Sequence, residues 1–134
     1  MRIMLDTHVL VSGLLNPYGP PGRILDLILS GRVRVLYDDR ILQEYQEVLT
    51  RPQLAIDASQ AQAVVRYLRL AGERIVALPL PEDLLPDVDD LTFAEIAISG
   101  RADALITGNV KHFSRLAERG LRVLSPAQFL EQGI

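Results

Sequence analysis

Apolar residues along this chain alternate between two patterns: short unbroken runs, and longer stretches where they recur at helical spacing. Ile3-Met4-Leu5 is the first unbroken run, and it ends on an acid, Asp6. Such a run is how a strand buried on both faces reads. Val33 to Tyr37, Ile75 to Leu78, Ala104 to Thr107 and Leu121 to Leu124 fit the same description. Between them come helical stretches. Val9, Leu10 and Leu14 carry the first. After the turn-rich Asn16 to Gly22, Pro20 or Pro21 can open a second through Ile24 and Leu29, ending near Gly31. Asp57 to Ser59 can cap a helix through Val64 and Leu68, closed by Gly72. Asp89 or Asp90 starts another, with Phe93, Ile96 and Ala97, closed near Gly100. Lys111 to Arg119 is expected to be helical, and Ser125-Pro126 opens a terminal helix through Leu130. Strands alternating with helices predict an α/β sandwich around a parallel sheet of about five strands.

The helix expected from Arg40 to about Thr50 has Asp38 and Asp39 as candidate caps and stops before Pro52. Its apolar stripe is Ile41, Leu42, Tyr45, Val48 and Leu49 at roughly 100° per residue. Glu47 falls opposite that stripe, in solvent. Glu44 falls at its border, where an acid can lean over the sheet edge into a pocket.

Length changes the picture little: 134 residues are expected to form one domain, residues 1–134. Cysteine is absent, which excludes disulfides, thiolate metal sites and a Cys nucleophile. The opening Met1-Arg2-Ile3-Met4-Leu5-Asp6 is interrupted by a charge too early for a signal peptide, and no apolar run reaches membrane-spanning length. The expectation is a soluble cytoplasmic protein with no membrane partner. A net charge of −3 argues against a broad basic nucleic-acid surface, but not against a nucleic-acid enzyme whose acids are neutralised by metal.

Familiar cofactor motifs are missing. No G-x-G-x-x-G follows the first strand, and there is no phosphate-binding G-x-x-x-x-G-K-[ST] and no G-x-S-x-G. The 2 histidines, His8 and His112, are too few for a His-rich zinc site. The carboxylates do form a pattern. Glu82, Asp83, Asp87, Asp89, Asp90 and Glu95 lie close together with no basic residue between them. Glu82 and Asp83 suit a solvated acidic loop. Asp90 suits it less, because it directly precedes an apolar helix. The end of the first strand, the start of that helix and Thr107-Gly108-Asn109 can meet at one sheet edge, where ligand sites form. Asp6 has two readings, a helix cap or a site acid. Clustered acids repel unless protonated or bound to cations. Hard oxygen donors suit Mg²⁺ or Mn²⁺, ions that act on water and phosphoryl oxygens. Phosphodiester hydrolysis is the chemistry such a cluster would serve.

Four segments then resemble the PIN-domain ribonucleases, and in particular the VapC-like toxins of toxin–antitoxin pairs. They are Met4 to Ser12, Ile41 to Pro52, Asp87 to Ala97, and Ala102 to Phe113. The resemblance covers essentially the whole chain and implies a three-layer α/β/α sandwich with strand order 3-2-1-4-5. It implies Asp6, Glu44 and Asp90 as catalytic, metal-binding acids for Mg²⁺ or Mn²⁺, with Thr7, Asp87, Asp89, Thr107 and Asn109 in supporting places. It further implies RNA as substrate, a cognate antitoxin as partner and a homodimer. Position 8 is His where the family usually has Asn, and position 109 is Asn where many members carry a fourth acid. The rival expectation is a PIN-fold module that binds RNA or a protein without cutting. A phosphatase of the haloacid-dehalogenase type needs a second acid where this chain has His8.

Overall fold

The computed structural model describes residues 1–132. Strand β1 (Arg2–Leu5) lies at the centre of a five-stranded sheet, with Ile3, Met4 and Leu5 buried on both sides. Its neighbours are β2 (Arg34–Tyr37) and β4 (Ala104–Ile106), and the edges are β3 (Glu73–Arg74) and β5 (Val123–Leu124). All pairings are parallel, in the order β3-β2-β1-β4-β5. The expected fold class and strand order hold.

Parallel strands need crossovers, and these are helical. Helix α1 (Thr7–Leu15) leaves β1 directly, and α2 (Pro20–Leu29) begins with Pro20 at its first turn. Helix α3 (Asp39–Leu49) follows β2, capped by the Asp38 side chain on the Ile41 N–H; Asp39 is already helical. Helix α4 (Ala58–Ala71) is capped by Asp57. Helix α5 (Leu91–Ser99) precedes β4, and α6 (Pro126–Glu131) closes the described chain with a Ser125–Gln128 capping box. Helices α1, α2, α3 and α4 pack on one another, whereas α5 packs on β1, β2, β4 and the Val110–Arg119 segment. Right-handed crossovers account for this division, because the chain reverses direction across the sheet between β3 and β4. Helices therefore cover both faces, giving three layers. Among the described residues no helix is long and apolar enough to cross a membrane.

Two local expectations need correction. The third strand is Glu73–Arg74 rather than Ile75 to Leu78. Leu36 pairs with Glu73 and Tyr37 with Arg74, and beyond the Ile75 N–H the chain leaves the ladder. The Leu78 and Leu80 N–H groups bond instead to the Ser99 hydroxyl and the Glu95 carboxylate. The last strand is confined to Val123–Leu124. The helix expected over Lys111 to Arg119 is present as Val110–Arg119, in 3₁₀ turns ended by Gly120 at φ 80°.

Candidate functional site

Strand order sets where the site lies. The chain leaves β1 toward β2 and leaves β4 toward β5, so a crevice opens at their carboxyl ends. Asp6 and Thr107 are the first residues beyond those ends. The Asp6 N–H donates to the Ile106 carbonyl at 3.0 Å, continuing the ladder by one bond. The Asp6 side chain is buried at 4% exposure, so both its oxygens need partners. Oδ1 accepts the His8 N–H at 3.1 Å, and Oδ2 accepts the Thr107 hydroxyl at 2.6 Å. Asp6 is thus both helix cap and pocket acid, and the two readings are compatible.

Glu44 arrives from α3. Its Oε2 accepts the Thr7 hydroxyl, joining the second acid to the residue after the first. Beneath it the fully buried Tyr45 donates its hydroxyl to the Leu5 carbonyl, pinning α3 to the end of β1. Burial, and then the charges of Asp6, Glu44 and Asp38, push that phenol well above its ordinary value, so it stays a neutral donor.

Asp90 arrives from the turn before α5. Asp87 caps that 3₁₀ turn (Val88–Asp90) through the Asp89 N–H, while Asp90 makes no capping bond and keeps its carboxylate for the cleft. Burial pushes the Asp90 carboxyl up, and the charges of Asp87 and Asp6 push it further. His112 opposes this, with Nδ1 at 3.6 Å from Asp90 Oδ2.

Asp6, Thr7, Glu44, Asp87, Asp89 and Asp90 line one cleft of about 520 Å³. Thr107 stands behind it, fully buried, and supports Asp6 from below. Asn109 is exposed and does not line the cleft; its backbone N–H donates to the Thr107 hydroxyl. Glu82 and Asp83 are exposed and away from the cleft, as a solvated loop requires. Glu95 is buried and pairs with Arg40 at 2.8 Å.

Helix spacing alone could have found further lining residues. Arg40, Gln43 and Glu47 share the Glu44 face of α3 at three- and four-residue steps, and Arg51, just past the end of that helix, also lines the cleft. Glu47, expected in solvent, is exposed and also borders the cleft. His112 beside Asp90 had no such signal, because 22 positions of chain separate two groups that only the fold brings together.

No three His, Asp or Glu side chains among the described residues form a ready-made metal cage. Mg²⁺ does not need one: it keeps several waters and is commonly held by one or two carboxylates. Oxygen-only acids beside a carboxyl destabilised by burial and then by its like-charged neighbours fit such a hydrated ion.

The chain matches the family model described as PIN domain over residues 2–111. An uncharacterized protein of Methanocaldococcus jannaschii is 25% identical over 141 residues, spanning 98% of this chain and 91% of that protein. Among solved structures, the chain is similar to VapBC2 from Rickettsia felis, crystallised bound to a DNA fragment from their promoter. That likeness has a TM-score of 0.57 at 21% identity, covering 93% of this chain and 98% of the other.

Proposed function

The chain belongs to the PIN-domain family, and on that premise we propose that residues 1–134 form one PIN-like domain, a divalent-metal-dependent endoribonuclease acting as the toxin of a type II toxin–antitoxin pair. PIN domains are in general nucleases, which supports hydrolysis of nucleic acid. The observation that carries the reading is the meeting of Asp6, Glu44 and Asp90, from three distant stretches of chain, in one cleft. The similarity to VapBC2 supports an antitoxin partner. A homodimer is part of the same reading. Leu29 and Leu70 offer exposed apolar surface for such contacts, whereas Leu25, Val64 and Leu68 belong to the core.

Asp6 and Asp90 would hold Mg²⁺ or Mn²⁺, with Glu44 completing the set. Such an ion supplies Lewis acidity toward water and phosphoryl oxygens. The protein supplies orientation. Two hydrogen bonds, one to each oxygen, restrain rotation of the Asp6 carboxylate. Thr7 holds Glu44 Oε2, leaving Oε1 to accept a proton from an attacking water. Cleavage by the wild type in Mn²⁺ or Mg²⁺, stopped by chelator, is the expected result with a labelled RNA. Asp6→Asn and Asp90→Asn are each expected to lose at least about 100-fold in rate. No cleavage with either ion, or an undiminished Asp6→Asn variant, overturns the assignment.

A second reading, a PIN-fold module that binds without cutting, is favoured by position 109. An uncharged side chain outside the cleft leaves the fourth-acid place unfilled. The same cleavage assay decides between them.

A further inference from the structure

An RNA strand entering this cleft meets six carboxylates at its lining, Asp6, Glu44, Glu47, Asp87, Asp89 and Asp90. Something must offset the repulsion between them and the phosphates. Two arginines line the same cleft, and their situations differ. Arg40 is neutralised twice, by Asp38 at 2.8 Å and by Glu95 at 2.8 Å. Arg51 is exposed and, among the described residues, forms no ion pair and no side-chain hydrogen bond. Glu47 precedes it by four positions, but an exposed pair at that spacing is weak and a polyanionic strand, with one charge on each phosphate, competes well against it.

We propose that Arg51 is the phosphate anchor of the cleft, holding a backbone phosphate of an RNA strand whose scissile bond lies at Asp6, Glu44 and Asp90. This rests on RNA being the ligand of the cleft. Arg51 lies in extended backbone just past the Thr50 C-cap of α3, and it lines the same cleft as Glu44. Pro52 fixes φ just beyond, where the 3₁₀ turn Pro52–Leu54 begins, so the guanidinium hangs from a stiffened backbone. The planar fork of Arg suits a phosphate in two-point contact. Arg51 is then a positioning residue that sets which phosphate reaches the acids.

The test uses a fluorescent single-stranded RNA and anisotropy titrations in Mg²⁺, in an Asp6→Asn background so that the strand survives. Arg51→Ala is expected to weaken binding about tenfold and to lower the log–log salt slope by about 0.7. Arg51→Lys should recover part of the affinity. Arg66→Ala, an equal charge change on α4 away from the cleft, should leave both quantities near their starting values. With position 6 restored, Arg51→Ala should raise KM more than it lowers kcat, while the melting temperature and Mn²⁺ binding stay unchanged. Unchanged affinity and slope in Arg51→Ala, or an equal loss in Arg66→Ala, overturns the anchor. If Arg51 governs binding but the wild type cuts nothing, the anchor stands and the nuclease reading falls. If the wild type cuts and Arg51→Ala behaves identically, the anchor alone falls. Absence of RNA binding in every variant removes both.

Discussion

Asp90 carries a cost that shows the purpose of its surroundings. Its carboxyl is raised by burial and by Asp87 and Asp6, so between the ordinary carboxylate value and the raised one the folded chain holds more protons than the unfolded chain. Stability therefore falls as pH rises through that window, and above it the full penalty remains. Asn has no charge to bury. In the presence of chelator, Asp90→Asn is expected to melt about 2–4 °C above the wild type at neutral pH. The difference should shrink as pH drops through the carboxylate range. Calorimetry across pH checks this, and an Asn variant that melts lower at neutral pH counts against it.

At the scale of elements, the device that fixes the cleft's width is a cross-brace. Arg40 at the start of α3 reaches Glu95 on α5, and the other Glu95 oxygen accepts the Leu80 N–H at 2.9 Å. The helix bearing Glu44 is thereby tied to the one following Asp90, and both to the connection from β3. Glu95→Ala is expected to lower stability by about 1–2 kcal/mol, discounted because Arg40 is half exposed. Glu95→Gln should lose less, since an amide oxygen still accepts the Leu80 bond. Urea midpoints measure both, and a Glu95→Ala midpoint equal to wild type removes the brace. This brace was not legible in the sequence, where Glu95 is one more acid in a run of acids. Helical spacing reports neighbours on one helix, and Arg40 lies 55 positions away. By contrast β1 and its Asp6 were legible, because burial on both faces and a terminal acid are local statements. The third strand was misplaced for an instructive reason. Apolar content marks Ile75 to Leu78, but hydrogen-bond register pairs Glu73–Arg74. Gly72 directs the chain there: a Cβ on it would stand 2.5 Å from the Val35 carbonyl. The edge ladder is consequently charged, and Val76 and Leu78 are left exposed.

For the whole molecule, the cleft and the fold are linked thermodynamically. An ion that binds only the folded chain stabilises it, by about 2.7 kcal/mol at a hundred times its dissociation constant. Titrating Mn²⁺ into chelator-treated protein should raise the melting temperature in a saturable way, and Asp6→Asn should flatten that curve. A wild type indifferent to both ions would contradict the proposed donor set without any reference to turnover.

The bond between Asp6 and Thr107 joins positions 101 residues apart. During synthesis the first of these is therefore made well before its partner. Until β4 docks beside β1, Asp6 lacks the Thr107 hydroxyl that holds its Oδ2. Slow closure of distant parallel pairings adds to that delay. The order of synthesis thus leaves this pocket acid loosely held until the second half of the sheet has been laid down.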